Sequence, residues 1–233
     1  MKEYLAENVK NVIILGHLGS GKTSLSESLI FTAGGIEKKG EVEKKNTISD
    51  YTLEEQGRLS STSTAVVPVE FKNFKFNFLD APGADEFIGD IRHTLKVASG
   101  AILVLDATKG VEVGAEKMWL EIKKAKLPAI IFVNKMDKEN VKFDEVLELI
   151  RTKLGKQAVP FCLPIGKKEE FSGFADIVEL KARIYDGQKS VDGEIYPDKM
   201  DKVKALRQDL VEAVAGADEA LLEKYFNGEE LTM

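Results

Sequence analysis

The chain has 233 residues, 43% of them apolar, a formal charge of −6 and one cysteine. That length allows one large domain, or a domain with a sizeable insertion, able to bury about 70–75% of its unfolded surface. The acidic balance excludes a bulk electrostatic binder of DNA, which needs a basic face, and leaves room only for a small local RNA contact.

Residues 1–10 are polar and charged, unlike a signal peptide. Residues 11–15, NVIIL, are a short apolar run before Gly16 and predict a strand buried on both faces. A helix is expected over 22–33, with apolar Leu25, Leu29 and Ile30 and a Gly34-Gly35 stop. Residues 37–64 are polar and aperiodic and read as a long loop, the kind that is functional or disordered. Alternation through Val67, Val69 and Phe71, then Phe74, Phe76 and Phe78, predicts a hairpin turning at Lys72-Asn73. Then come a helix over 85–98, a buried strand at 101–105, a helix over 111–126, a buried strand at 128–133 and an amphipathic helix over 143–154. Strands alternating with helices imply a mainly parallel sheet with helices on both faces.

Past residue 158 the pattern changes. Strand-like pieces stand at 159–165, 177–185 and 193–196, followed by helices at 200–215 and 219–226. A boundary near 158 is therefore expected. Cys162 reads as a buried strand residue, with no partner for an internal disulfide, which suits a reducing cytoplasm. No apolar run approaches the ~20 residues that cross a bilayer, so no membrane partner is expected.

Three motifs carry chemistry. GHLGSGKT at 16–23 has the G-x-x-x-x-G-K-T spacing, directly after a strand and opening a helix. Backbone N–H groups across Gly16, His17, Leu18, Gly19, Ser20 and Gly21, aimed by the helix N-terminus, can cradle phosphates. Lys22 brings positive charge to the β- and γ-phosphates and is the expected catalytic side chain. The Thr23 hydroxyl offers Mg²⁺ a hard oxygen ligand, and Ser24 completes the expected nucleotide-binding run. DAPG at 80–83 follows the phenylalanine-rich strand; Asp80 suits Mg²⁺, and the Gly83 N–H can meet a γ-phosphate closely because glycine has no Cβ. NKMD at 134–137 follows the last buried strand. The Asp137 carboxylate can accept from guanine N1 and N2 and would be left unpaired against adenine, so GTP is favoured over ATP. Asn134 would brace the loop, and the Lys135 stem would cover the base.

Together with DATKGVEVGAEKMW at 106–119, these motifs resemble the translational GTPases, in particular the G domain of bacterial elongation factor G. FCLPIG at 161–166, FSGFADIV at 171–178 and EALLEKYFNGEELT at 219–232 resemble that family's inserted subdomain. The resemblance implies a P-loop GTPase fold over 1–157 and a partial α+β inserted subdomain over 158–233. It also implies a monomeric, cytoplasmic Mg²⁺–GTP/GDP switch acting on the ribosome during translocation or a related step.

Three departures from the family follow. Where elongation factor G has a water-positioning His after D-T-P-G, this chain has Ala84, and Ala81 replaces the Thr, as in a paralog of the principal factor. A methyl group cannot orient water. His93, further along the next helix, is a poor substitute, and His17 is expected to pack within the phosphate loop. The first switch, usually R-G-I-T, reads Arg58-Leu-Ser-Ser61, which puts Ser61 at the metal-binding hydroxyl with Thr62 one register away. The family's last guanine loop would lie beyond Met233, which implies a domain truncated within the insertion. Two readings stay open: a slow GTPase completed by the ribosome, and a GTP sensor without useful cleavage.

The pairs Lys38-Lys39, Lys44-Lys45, Lys123-Lys124 and Lys167-Lys168 read as solvated faces. Trp119 reads as core, and Glu54 and Glu55 as loop surface.

Overall fold

In the computed structural model, which describes residues 2–166, 170–185, 187, 189–217 and 219–229, the chain forms two compact units, Met1–Asn134 and Lys135–Met233. The first is built on strand β1, Val9–Gly16, whose Ile13, Ile14 and Leu15 are fully buried. Helix α1, Lys22–Thr32, leaves the turn that follows it. β2, Ala65–Phe71, and β3, Phe74–Asp80, form the hairpin, with Lys72 at φ 52° in its turn. A 3-10 turn at Asp85–Phe87 leads into α3, Ile88–Leu95. Then follow β4, Gly100–Asp106, helix α4, Val113–Ala125, and β5, Ala129–Asn134.

The sheet order is β2-β3-β1-β4-β5; only β2–β3 is antiparallel. Crossover connections force parallel neighbours and bury the central strands, so β1 and β4 read as near-continuous apolar runs. α1 packs on β1, β2 and β3 through Ile30 and its neighbours, and α4 packs on β1 and β4. The parallel order brings the C-terminal ends of β1, β3 and β4 to one edge, where ligands of open α/β sheets bind. The expected P-loop GTPase architecture is thus present.

The loop expected at 37–64 is not aperiodic throughout. It holds a 3-10 turn at Val42–Lys44 and a short helix, α2, Leu53–Arg58. Thr52 caps α2, and Glu55 reaches back to the Thr52 backbone, a reciprocal capping box written in the sequence as T-x-x-E. Glu55 is consequently buried at 1% exposure, not loop surface as expected, whereas Glu54 is exposed.

Trp119 is also corrected: it is only half-buried, because Gly114, Ala115, Met118 and Ile122 form the inward face of α4.

In the second unit, helix α5, Phe143–Lys153, precedes a four-stranded antiparallel sheet of order β6-β7-β8-β9. Its strands are β6, Cys162–Ile165; β7, Gly173–Asp176; β8, Lys181–Tyr185; and β9, Ser190–Gly193. The strand expected across 177–185 is broken: Asp176 Oδ1 accepts from the Val178 and Glu179 amides, both at 2.9 Å, and Leu180 takes φ 55°. That side-chain turn divides β7 from β8. Helix α6, Pro197–Ala215, starts earlier than expected with proline in its first turn, and α7, Glu219–Phe226, follows. Val203, Leu206 and Leu210 of α6 bury against Leu163, Ile165, Ala175 and Ile177. Cys162 is exposed, contrary to expectation, because Leu163 and Ile165 take the inward face of β6 and period-2 alternation turns Cys162 outward. Desolvation by the surrounding chain, then the charge of Asp176 opposite, pushes its thiol up to about 11, which makes it a poor nucleophile. Lys167-Lys168 and the last residues of the 219–232 resemblance lie outside the described residues.

Candidate functional site

The turn after β1 is held by its own backbone: the Ser20 amide donates to the His17 carbonyl at 3.1 Å, and α1 begins when Leu25 donates to Gly21 at 2.9 Å. Gly21 sits at φ 96°, and a Cβ there would lie 2.3 Å from Asn134 Nδ2. Asn134, at the end of β5, donates through that atom to the Ser20 carbonyl at 2.9 Å. The end of the last strand thereby braces the glycine turn of the first. His17 packs over Gly114 at the start of α4, with Nε2 3.5 Å from Glu112. Gly16 closes β1, Leu18 and Gly19 are exposed, and Ser24 faces solvent on α1.

Lys22 and Thr23 open α1 and are both buried, at 6% and 8% exposure. Lys22 Nζ reaches back to the His17 carbonyl at 3.3 Å. Asp80, fully buried at the end of β3, lies on the strand next to β1. Among the described residues no hydrogen bond of ordinary length reaches either of its oxygens; the hydroxyls of Ser49 and Thr23 stand near enough to offset burial only in part. Burial pushes the Asp80 carboxyl up to about 6, against the opposing pull of the Lys22 ammonium. Burial likewise pushes Lys22 down, while Asp80 and then Asp50 push it back up. Burying such groups is costly, and a polar ligand or cation beside them would offset that cost.

The 37–64 segment adds to this pocket. Ser61 Oγ lies 3.3 Å from Thr23 Oγ1 and donates to Asp50 Oδ1 at 2.7 Å. Thr62 turns elsewhere, its amide donating to Glu55 Oε1 at 3.0 Å. Of the two candidate hydroxyls, Ser61 stands beside Thr23. Burial raises Asp50, and the Ser61 bond offsets part of that rise. Thr47 Oγ1, Ser49 Oγ and Asp50 Oδ2 are further buried atoms with no hydrogen bond of ordinary length among the described residues. The hydroxyls of Thr23 and Ser61 with the Asp80 carboxylate form a hard, all-oxygen donor set, which fits Mg²⁺.

Gly83 abuts the glycine turn at Lys22 and Leu18. Ala84 follows, half-buried, and offers only a methyl group. His93 is exposed in the last turn of α3. Arg58 spans from α2 to the turn after Ala84, 2.7 Å from Glu86 and 5.8 Å from the Phe87 ring centre. In the second unit, Lys135 takes φ 61°, and Asp137 is exposed 3.8 Å from the Lys138 ammonium.

Sequence reasoning missed Glu27, Asp50 and Glu55. Glu27, fully buried on α1, accepts from the backbone amides of Gly40 and Ile48 and so ties down the loop leaving α1. The capping-box spacing could have found Glu55; Glu27 and Asp50 had no local signal.

A glycine turn between strand and helix, a lysine and a threonine at its end and a bare buried aspartate on the neighbouring strand define a nucleoside-triphosphate-binding P-loop domain. The Elongation factor Tu GTP binding domain family matches residues 7–232, and the chain belongs to that family. It is 38% identical over 229 residues to elongation factor G of Mycoplasma pneumoniae, covering 97% of this chain and 33% of the relative. It is 36% identical over 228 residues to elongation factor G of Mycoplasma genitalium, with the same coverages. A crystal structure from Thermus thermophilus superposes with a TM-score of 0.90 at 36% identity, covering 96% of this chain and 34% of that one. The chain spans about a third of the length of the curated relatives it matches.

Proposed function

We propose that this chain is the guanine-nucleotide domain of an elongation factor G-like translation factor that binds Mg²⁺ with GTP or GDP. On this reading it hydrolyses GTP on the ribosome during translocation or a related step. The observation that carries the reading is the buried Asp80 carboxylate, without a hydrogen bond of ordinary length among the described residues, beside Lys22 and the Thr23–Ser61 hydroxyl pair. Mg²⁺ held by Thr23, Ser61 and Asp80 would neutralise the phosphate oxygens. Backbone N–H groups of the 16–23 turn, other than the Ser20 amide held by the His17 carbonyl, would donate to the phosphates, and Lys22 would set its charge against the β- and γ-oxygens. Gly83 presents its N–H to the γ-phosphate. By the N-K-x-D motif, Asp137 reads the guanine edge, Lys135 covers the base and Asn134 braces the turn.

Residues 1–157 then correspond to the GTP-binding domain and 158–233 to the family's inserted subdomain, in a protein that works as a monomer with the ribosome as its partner. No helix among the described residues is long and apolar enough to cross a membrane.

A second reading, a GTP sensor with little cleavage, is favoured by Ala84. Single-turnover hydrolysis by the whole protein, with and without ribosomes, decides between them, with Ala84→His alongside. Ribosomes are expected to raise the wild-type rate by about three orders of magnitude or more, the scale reached when a partner completes a GTPase site. A rate that responds only in Ala84→His assigns the wild type to the sensor reading.

A further inference from the structure

Residues 60–64 read Ser-Ser-Thr-Ser-Thr, five near-equivalent hydroxyls in a row. Nothing in that run selects the one that meets Thr23. In the structure the hydroxyls are sorted by three carboxylates. Ser61 donates to Asp50 at 2.7 Å and adjoins Thr23. The Thr64 amide donates to Asp90 at 2.9 Å. Between them, Glu55 Oε1 takes the Thr62 amide at 3.0 Å, its hydroxyl at 3.4 Å and the Ser63 amide at 3.4 Å. Its other oxygen, Oε2, takes the Thr52 hydroxyl at 2.8 Å and the Thr52 amide at 3.3 Å. Leu59, at φ 52°, ends α2 and turns the chain back over Glu55.

We propose that Glu55 is a positioning residue that sets the register of residues 61–63, so that Ser61 rather than Thr62 is presented beside Thr23. The inference rests on the proposed Mg²⁺–nucleotide role of Thr23 and Ser61. Its physical basis does not: Glu55 Oε1 gathers the amides and hydroxyls of both Thr62 and Ser63 directly after the Leu59 turn that ends α2, so a slip of one residue would have to force a residue into or out of that turn against a carboxylate buried to 1% exposure. An underserved buried carboxylate is far costlier than a neutral acceptor in the same place. Because Glu55 is also the capping-box residue of α2, register and helix are coupled through one side chain.

The test is amide hydrogen exchange on the nucleotide-free whole protein, wild type against Glu55→Gln. The Thr62 and Ser63 amides should be protected in the wild type and exchange about tenfold faster or more in the variant, the scale of losing a hydrogen bond to a charged acceptor. Amides of β1 should be unchanged. If Glu55→Gln does not fold, Glu55→Asp keeps the charge and draws the carboxylate back by one methylene; the same local acceleration is expected. A paired Mg²⁺ titration of the retention of a non-hydrolysable GTP analogue should show a raised Mg²⁺ requirement for Ser61→Ala and Glu55→Gln, and none for Thr62→Val. Unprotected Thr62 and Ser63 amides in the wild type, or exchange unaltered in both Glu55 variants, overturn the inference. So does a Mg²⁺ requirement that moves with Thr62→Val instead of Ser61→Ala. A protein that retains no guanine nucleotide overturns the functional reading alone, and the exchange rates still decide the role of Glu55.

Discussion

A methyl group on Gly83 would stand 2.4 Å from Lys22 Nζ and 2.9 Å from the backbone nitrogen of Leu18. The lysine end could swing aside, but the turn backbone cannot yield as cheaply. Gly83→Ala is therefore expected to displace both phosphate-binding elements and weaken GTP binding by about tenfold or more, the scale set by overpacking a close contact. Equilibrium titration with a fluorescent GTP analogue checks this; unchanged affinity would mean that Gly83 and Lys22 do not share a ligand.

On the proposed reading, base selectivity falls to Asp137. Asp137→Ala should lower the preference for GTP over ATP by about a hundredfold or more, because a site built to hydrogen-bond one ligand discriminates through the groups it would leave unpaired. Competition of ATP against labelled GTP reads the ratio directly, and an ATP affinity already equal in the wild type would remove the guanine assignment.

Glu27 holds the Gly40 and Ile48 amides from inside the fold. Glu27→Gln turns an N–H toward one of those donors. A loss of about 1.5–3 kcal/mol is expected, typical of hydrogen bonds to a charged group. Urea unfolding gives the stability, and faster tryptic cleavage at Lys38, Lys39, Lys44 and Lys45 should localise the loosening to this loop.

Arg92 on α3 and Glu121 on α4 are paired at 2.9 Å. The Arg92 guanidinium, then the Lys124 ammonium, hold the Glu121 carboxyl down to about 2, from 4.5. A folded value below the unfolded one means that the unfolded chain takes up the proton first. The pair's stabilisation is thus present above about pH 4.5 and fades as pH falls toward 2. Because Arg92 is more than half exposed, solvent screening keeps that contribution small. Glu121→Gln should melt earlier than wild type at pH 7, with the gap narrowing below pH 4.5; a gap independent of pH would assign the effect to packing.

Elements with a strong local signal were legible in the chain itself. Residues 11–15 read correctly as a doubly buried strand, and the alternating apolar residues about the Lys72-Asn73 turn matched the hairpin register seen between β2 and β3. The second sheet was less legible. Its strands are four or five residues long, and the break after Asp176 depends on one side chain capturing two amides. Cys162 was misread because a short apolar run does not say which of its residues face inward. Trp119 was misread because size suggests burial, while the small Gly114 and Ala115 let α4 approach the sheet on another face.

Motif order along the chain was enough for the nucleotide class, since the spacings of 16–23, 80–83 and 134–137 reflect local backbone chemistry that survives in one dimension. It was not enough for the pocket's other members. Glu27 meets Gly40 and Ile48, and Asp50 meets Ser61, only because the fold brings distant segments together. A buried carboxylate is stabilised by whichever donors the fold delivers to it, and for Glu27 those donors are backbone amides, which no residue name in the sequence records.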